Sequence, residues 1–308
     1  MNLTTIMRNE MERVPLVTVI TLTYNHGSYI AECLDSLVKQ QTDFLFEVIV
    51  HDDASTDCTP DIIRKYHNEY PDIIRPVLQT ENQYSRGVAI GQTFIYPRIR
   101  SRYVAYCEGD DYWTDPMKLQ KQVDFLESHP EYSMCCTEVN WLIQKTGQMS
   151  DLHYYDKQEL ELKDFMLENY VSTLTVLART EYVLDFNFNV LPGLPHFMMG
   201  DYPLWIYLAV KGKVRKFPEA TAVYRELSGS MSHSRDKFKR IMFEISAYDI
   251  RYWFNRKYGI ESPWRIWKRE RRALRHLSRS LCPTRTESRK LYCKALWYCF
   301  KKRVLHKY

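Results

Sequence analysis

The chain has 308 residues, 45% hydrophobic and 26% charged, an ordinary globular composition long enough for one large domain with an extension or for two small ones. Its eight cysteines, at 33, 58, 107, 135, 136, 282, 293 and 299, form no C-x-x-C pair, which argues against zinc ribbons and thioredoxin chemistry and for reduced thiols in a reducing compartment. The net charge of +5 hides an asymmetry: Arg235 to Tyr308 hold 22 Lys and Arg against 6 Asp and Glu, net +16, which leaves −11 on residues 1–234.

Met1 to Arg13 carry no apolar core of signal-peptide length, and no run of 18 uncharged apolar residues follows. Neither a secretory leader nor a transmembrane helix is expected. Val17–Leu22 is β-rich and uncharged, a candidate central strand broken by Tyr24-Asn25-His26-Gly27-Ser28. Ile30, Cys33, Leu34 and Leu37 then mark one face of a helix. Phe46–Val50 is a second strand ending at Asp52-Asp53. Thr59-Pro60-Asp61 opens a helix, with Thr59 as its expected cap. A third strand falls near Val77-Leu78, a helix over Gly87–Ile99 and a fourth strand over Tyr103–Cys107. Asp115-Pro116 starts a helix with Leu119, Val123 and Leu126 in register. Farther on, Tyr132–Ile143, Ser172–Ala178 and Ala220–Tyr224 read as strands, and Pro203–Val210 as a short buried helix.

This alternation predicts a parallel α/β sheet, whose ligands sit at the carboxyl ends of the strands. Tyr24-Asn25, Asp52-Asp53 and Glu108–Asp111 all fall at predicted strand ends. Glu108-Gly109-Asp110-Asp111 is the most informative segment. Three carboxylates in four positions repel, and burial makes that costly unless a cation joins them. A divalent ion with oxygen ligands is the simplest partner, and a solvated acidic turn is the plain alternative. Asp52, Asp57 and Asp201 also have plain readings, the first two as turn and helix caps and the third as the N-cap of the helix at Pro203.

The landmarks together resemble family 2 glycosyltransferases of the GT-A fold. They are Val19–Asn25, Val48–Asp57 with its Asp-Asp-x-Ser-x-Asp, Tyr103–Pro116, Gly200-Asp201-Tyr202-Pro203-Leu204-Trp205, and Tyr224-Arg225 with Ser230 and Ser232. The resemblance spans roughly Pro15 to Ser232. It implies a mostly parallel central sheet flanked by helices, with a basic helical C-terminal extension. The expected divisions are a tail at 1–14, a glycosyltransferase domain at 15–232 (nucleotide-binding half 15–130, acceptor half 131–232) and the extension at 233–308.

The resemblance implies an inverting, metal-dependent transfer from a nucleotide-sugar, a UDP-sugar, to a glycan or lipid-linked acceptor in bacterial polysaccharide synthesis. Thr23, Tyr24, Asn25, Asp52, Asp53, Arg86 and Asp110 are the implied nucleotide-binding residues, with Asp53 on the pyrimidine base. Glu108, Asp110 and Asp111 are the implied ligands of Mg²⁺ or Mn²⁺, and which pair touches the ion stays open. Asp201 matches the catalytic base. Where many relatives have a His after Tyr-Arg, this chain has Glu226-Leu227, and the nearest histidine is His233.

In 235–308, Arg and Lys alternate with aromatics such as Trp264, Trp267, Trp297 and Phe300. Three readings stand: an interfacial surface for an anionic membrane, RNA binding, or aromatics packed inside with charges facing water. Nucleic acid is the least expected partner, and the expected location is cytoplasmic, peripheral on the inner face of the plasma membrane. The alternative functions are a sugar nucleotidyltransferase of related fold, which usually needs a Gly-rich basic loop that Tyr24–Gly27 does not supply, and a nucleic-acid-binding protein using the tail.

Overall fold

The fold comes from a computed structural model that describes residues 14–151, 157–227 and 236–305. Ser230, Ser232, His233 and nearly all of the expected N-terminal tail lie outside those residues. In chain order the main elements are β1 (Val17–Thr23), α1 (Ile30–Val38), β2 (Phe46–Asp52), α2 (Thr59–Glu69), β3 (Ile74–Leu78), β4 (Tyr103–Tyr106), β5 (Tyr112–Trp113) and α3 (Lys118–Ser128). They continue with β6 (Tyr132–Ile143), β7 (Gln148–Asp151), β8 (Glu159–Leu160), α4 (Leu162–Phe165), β9 (Leu177–Arg179), α5 (Thr180–Asp185), α6 (Tyr202–Lys211) and β10 (Lys213–Glu226). Three helices close the chain: α7 (Lys237–Tyr258), α8 (Pro263–Leu281) and α9 (Arg285–Leu305). No helix among the described residues is long and apolar enough to cross a membrane.

The chain forms two compact units. The first runs to Leu160 and takes in Tyr170–Leu194 and Leu208–Arg225; the second comprises Glu161–Asn169, Pro195–Tyr207 and the chain from Glu226 on. The first unit holds the sheet, with path β3-β2-β1-β4-β9-β6-β10-β5. Pairing is parallel from β3 to β4 and antiparallel where β9 meets β4 and β6. "Mostly parallel" therefore describes one half of the sheet. The regular alternation of one short strand and one helix that signals parallel pairing stops after α3, and the strands that follow pair antiparallel. β1, β2 and β4 are nearly continuous buried runs, as two-sided burial requires, while the edge strand β3 is only partly buried. The α1 stripe Ile30, Cys33, Leu34 and Leu37 is fully buried against them.

Local differences from the sequence reading have simple causes. Gly87–Ile99 is a turn followed by a π-type turn at Gly91–Ile95 and a 3₁₀ turn at Tyr96–Arg98. Pro97 cannot supply a helical amide, which ends the run. Thr59 does not cap α2; it is the first helical residue, and Asp57 Oδ1 accepts its amide at 3.0 Å and its hydroxyl at 2.5 Å.

Lys118 shows the cost of closing this core. It is 1% exposed, with Nζ 4.0 Å from the Trp113 ring centroid and donating to Gln122 Oε1 at 2.8 Å. Burial lowers its pKa to about 8, although Cys135, Cys107, Cys136 and Asp115 oppose the shift. Below that value the folded chain bears the full cost of a buried ammonium. Between about 8 and the unfolded value of 10.5 the unfolded chain holds the extra proton, so this penalty fades as pH rises. The shift corresponds to about 3 kcal/mol. Lys118→Met is expected to stabilise the protein at pH 7 and to lose most of that advantage by pH 10, as read from urea denaturation of both proteins. An advantage equal at the two pH values would refute the charge penalty.

Candidate active site

The carboxyl ends of β1, β2 and β4 converge because pairing runs on past the strands. Asp53 N–H donates to Thr23 O at 3.1 Å, Cys107 N–H to Ile20 O at 3.1 Å and Gly109 N–H to Leu22 O at 2.9 Å. The segments following the three strands thereby share one rim, as the sequence pattern expects. The first two are also stitched together. Asn25 N–H donates to Ser55 Oγ at 2.7 Å, Thr56 N–H to Asn25 Oδ1 at 2.8 Å and Gly27 N–H to Asp57 Oδ2 at 2.9 Å. Asn25 and Ala54 occupy left-handed backbone, at φ 54° and 61°. Asn tolerates this, whereas Ala pays about 1–2 kcal/mol, which the stitching must offset.

Glu108–Asp111 forms a turn closed by Asp111 N–H to Glu108 O at 3.0 Å. Gly109 is required there: a Cβ would lie 2.8 Å from Thr23 Cβ and Oγ1 and 3.1 Å from His26 Nδ1. Asp111 is buried, and its pKa stands well above the usual carboxylate range. Burial is the main cause, followed by the charges of Glu108 and Asp110, against a hydrogen bond from the Arg225 amide. Arg225 clamps this turn. Its N–H reaches Asp111 Oδ1 at 2.7 Å, its Nε reaches Asp110 O at 2.7 Å, and its guanidinium reaches Gln144 Oε1 at 2.7 Å and Glu32 Oε2 at 2.5 Å. The same group lies 5.0 Å from the Tyr29 ring centroid and 5.2 Å from that of Tyr112.

The residues at the turn suit a divalent cation. His26 Nδ1 and Thr23 Oγ1 are buried and make no hydrogen bond among the described residues. His26 Nδ1 lies 3.9 Å from Asp110 Oδ1, too far for a direct bond. Among the described residues no group of three or more Asp, Glu, His or Cys side chains is placed to hold a metal ion by itself. An ion here would therefore draw on one or two carboxylates and complete its shell with phosphate and water, the habit of Mg²⁺.

The other expected site residues sit as follows. Asp52 Oδ1 and Oδ2 accept the Ser55 hydroxyl at 2.5 Å and amide at 3.0 Å. Asp53 accepts the Gln83 amide at 2.7 Å and the Tyr84 amide at 3.0 Å, so it organises the 82–84 loop. Each oxygen keeps accepting capacity. Asp57 is a structural cap: burial alone would raise its pKa, but the Thr59 hydroxyl and amide and the Gly27 amide hold it below the usual value. Tyr24 is exposed, and Arg86 is exposed and paired with Glu81. Asp201 belongs to the second unit, where its Oδ1 accepts the Tyr202 amide at 2.7 Å and its carbonyl accepts the Trp205 amide at 3.1 Å at the start of α6. A cavity of about 60 Å³ lined by Ile20, Leu22, Ile95, Tyr96, Tyr106 and Glu108 is too small for a nucleotide.

Sequence reasoning missed the work of Arg225, Glu32 and His26. Tyr224-Arg225 stood out only as a landmark, and nothing local to it points at residue 110. Topology supplies that link: β10 pairs with β5 through Ala222–Trp113 and Val223–Tyr112, which brings Arg225 alongside Asp111.

The model of the family described as "Glycosyl transferase family 2" matches residues 18–177. The chain belongs to that family. It is 34% identical over 236 residues to an uncharacterized protein of Mycobacterium tuberculosis, a match covering 76% of this chain and 65% of that one; the chain thus spans just under two thirds of that relative. It is 27% identical over 228 residues to the UDP-Glc:alpha-D-GlcNAc-diphosphoundecaprenol beta-1,3-glucosyltransferase WfaP of Escherichia coli, covering 74% and 83% of the two chains. Among solved structures, S. aureus TarS 1-349 in complex with UDP-GlcNAc superposes with a TM-score of 0.56 at 18% identity, over 94% of this chain and 92% of that one. That likeness extends to the fold and supports a GT-A architecture.

The clamp gives a direct test. Arg225→Lys keeps the charge and the amide but cannot reach several acceptors at once. The half-buried Asp110 carbonyl and the exposed Gln144 amide would each lose a hydrogen bond, at about 0.5–1.5 kcal/mol each. A loss of about 1–3 kcal/mol in urea denaturation is expected. Glu32→Gln should cost under about 1 kcal/mol, because that carboxylate is 55% exposed. Wild-type stability in Arg225→Lys would remove the clamp from the account.

Proposed function

We propose that this chain is a metal-dependent, inverting glycosyltransferase that moves a sugar from a UDP-sugar to a glycan or lipid-linked acceptor in bacterial surface-polysaccharide synthesis. The observation that carries the reading is buried Asp111, with Glu108 and Asp110 beside it on one turn at the carboxyl ends of parallel strands. Such a cluster is costly without a positive partner. Membership of glycosyl transferase family 2 supports the reaction class. The name of the E. coli relative, with UDP-Glc as donor and a diphosphoundecaprenol-linked acceptor, supports the donor and acceptor classes.

In this reading residues 15–232 are the catalytic part, with 15–130 binding nucleotide and 131–232 facing the acceptor. Asp110, with Glu108 or Asp111, would hold Mg²⁺ or Mn²⁺, whose chemistry is to offset the charge gathering on the departing diphosphate. Thr23, Tyr24 and Asn25 at the end of β1 and Asp52 and Asp53 at the end of β2 form the nucleotide side, with Asp53 accepting from the base edge. Arg86 joins them once it leaves Glu81. Asp201 takes the proton of the acceptor hydroxyl as that oxygen attacks the anomeric carbon opposite the diphosphate. A single displacement of this kind inverts the carbon.

Two substitutions separate the roles. Asp111→Asn is expected to weaken UDP binding at least about tenfold with Mn²⁺ present and to leave it unchanged in EDTA, by calorimetric titration. An equal loss in both conditions would mean damage to the fold rather than to an ion site. Asp201→Asn is expected to lower turnover at least about 100-fold with donor affinity nearly constant. Near-normal turnover would leave Asp201 as a helix cap and nothing more.

A further inference from the structure

The helical part of the second unit has its own core. Ile241, Ile245, Leu274, Ala295 and Cys299 are buried together, with Leu277, Leu291 and Leu296 packed on them. α7 begins at Asp236, whose carboxylate accepts the Phe238 and Lys239 amides at 2.8 and 3.3 Å, and ends at Gly259 with φ 63°. Its Phe254 is buried, as is Tyr248. The aromatics of the basic segment therefore divide. Some fill the bundle. Trp264, Trp297 and Phe300 stay outside, 55%, 61% and 64% exposed.

The exposed set has an order that packing does not demand. α8 buries Ile266, Glu270, Leu274 and Ser278. Its opposite stripe reads Trp264, Lys268, Arg272, Arg275 and Arg279, all exposed but for the aliphatic stems of the long side chains. α9 exposes Lys290, Lys294, Trp297, Phe300 and Lys301. Cations stand over the rings one turn away: Lys268 over Trp264 at 5.3 Å, Arg271 over Trp267 at 4.6 Å and Lys301 over Trp297 at 5.2 Å. Trp264 and Trp267 stack at 4.4 Å. A connection of three residues makes α8 and α9 an antiparallel pair. Trp264 lies about 26 Å back along α8 from that connection, and Phe300 about 22 Å along α9. The exposed aromatics thus gather at the end of the pair remote from the 282–284 turn. Residues 263–305 carry 14 Lys and Arg against two acids, Glu270 and Glu287, and Glu270 is buried.

We propose that the outer faces of α8 and α9 dock on an anionic lipid leaflet, with Trp264, Trp297 and Phe300 entering the headgroup region and the Lys and Arg stripes pairing with lipid phosphates. Convex helix surfaces studded with rings match a soft planar interface, where Trp and Phe settle at headgroup depth. A single-stranded nucleic acid instead favours a groove along which successive bases stack. The charge is complementary to an anionic leaflet. This inference stands independently of the glycosyl-transfer reading.

The test uses the full chain and vesicles of pure phosphatidylcholine or of phosphatidylcholine mixed with phosphatidylglycerol, whose headgroup makes the surface anionic. Flotation is expected to recover the protein with anionic vesicles at low salt only, and tryptophan emission should shift to the blue on binding. Trp264→Ser with Trp297→Ser and Phe300→Ser, all at exposed positions, should weaken binding at least about tenfold while leaving helix content by circular dichroism unchanged, with only a small drop in melting temperature from the lost stack on Trp267. Arg272→Glu with Arg275→Glu should weaken it independently of the aromatics. Equal binding to neutral vesicles, no binding to either, or serine variants that bind like wild type would each overturn the proposal. So would tighter binding to poly(U) than to anionic vesicles, which would assign the stripe to nucleic acid.

Discussion

The acidic turn is where the first unit works hardest against electrostatics. Three carboxylates occupy four positions, and Asp111 is almost wholly removed from water. Coulomb repulsion at that spacing would open the turn if the backbone alone held it. Two constraints keep it closed. One is the sheet, whose pairing carries Gly109 onto Leu22. The other is Arg225, delivered by a strand more than a hundred residues later, which bonds the turn at Asp110 O and Asp111 Oδ1. Remove either and the carboxylates lose their common direction, so the rim depends on the register of β10 as much as on the motif itself.

The parallel half of the fold was legible because its signals are local. Val17–Leu22 and Phe46–Val50 are apolar β-rich runs, Ile30–Leu37 carries helical spacing, and the polar clusters fall where those runs stop. The antiparallel half was harder to read. β10 runs from Lys213 to Glu226 through charged and polar residues with a central proline, and only Ala220–Tyr224 looks like a strand in isolation. The burial of Lys118 was also invisible, since a lysine near a helix start ordinarily faces water.

The same division holds at the rim. Carboxylates announce themselves in sequence, but their tasks do not. Asp52, Asp53 and Asp57 sit within six residues, and the hydrogen bonds separate them: Asp57 caps α2, Asp52 closes its own loop through Ser55, and Asp53 ties down the 82–84 loop. His26 looked like a turn residue because the sequence cannot show that Asp110 comes within 3.9 Å of it. What sequence leaves unread is side-chain direction across long loops, which only the closed sheet determines.

The pairing of the rim's arginines bears on how a donor would bind. Arg225 is engaged with Glu32 and Arg86 with Glu81, while residues 1–234 carry a net −11. A diphosphate approaching this rim meets an acidic field with those two guanidiniums already committed. On the proposed reading, most of the compensating charge must arrive with the ligand, as a cation shared between phosphate and Asp110. Cation and donor would then each strengthen the other's binding by the same factor, because linkage is reciprocal. A preformed basic pocket would bind the nucleotide without metal and lose it steadily as salt rose. On that reading a rim that is acidic by construction binds it poorly until the ion is supplied, and the burial cost of Asp111 is the source of that coupling.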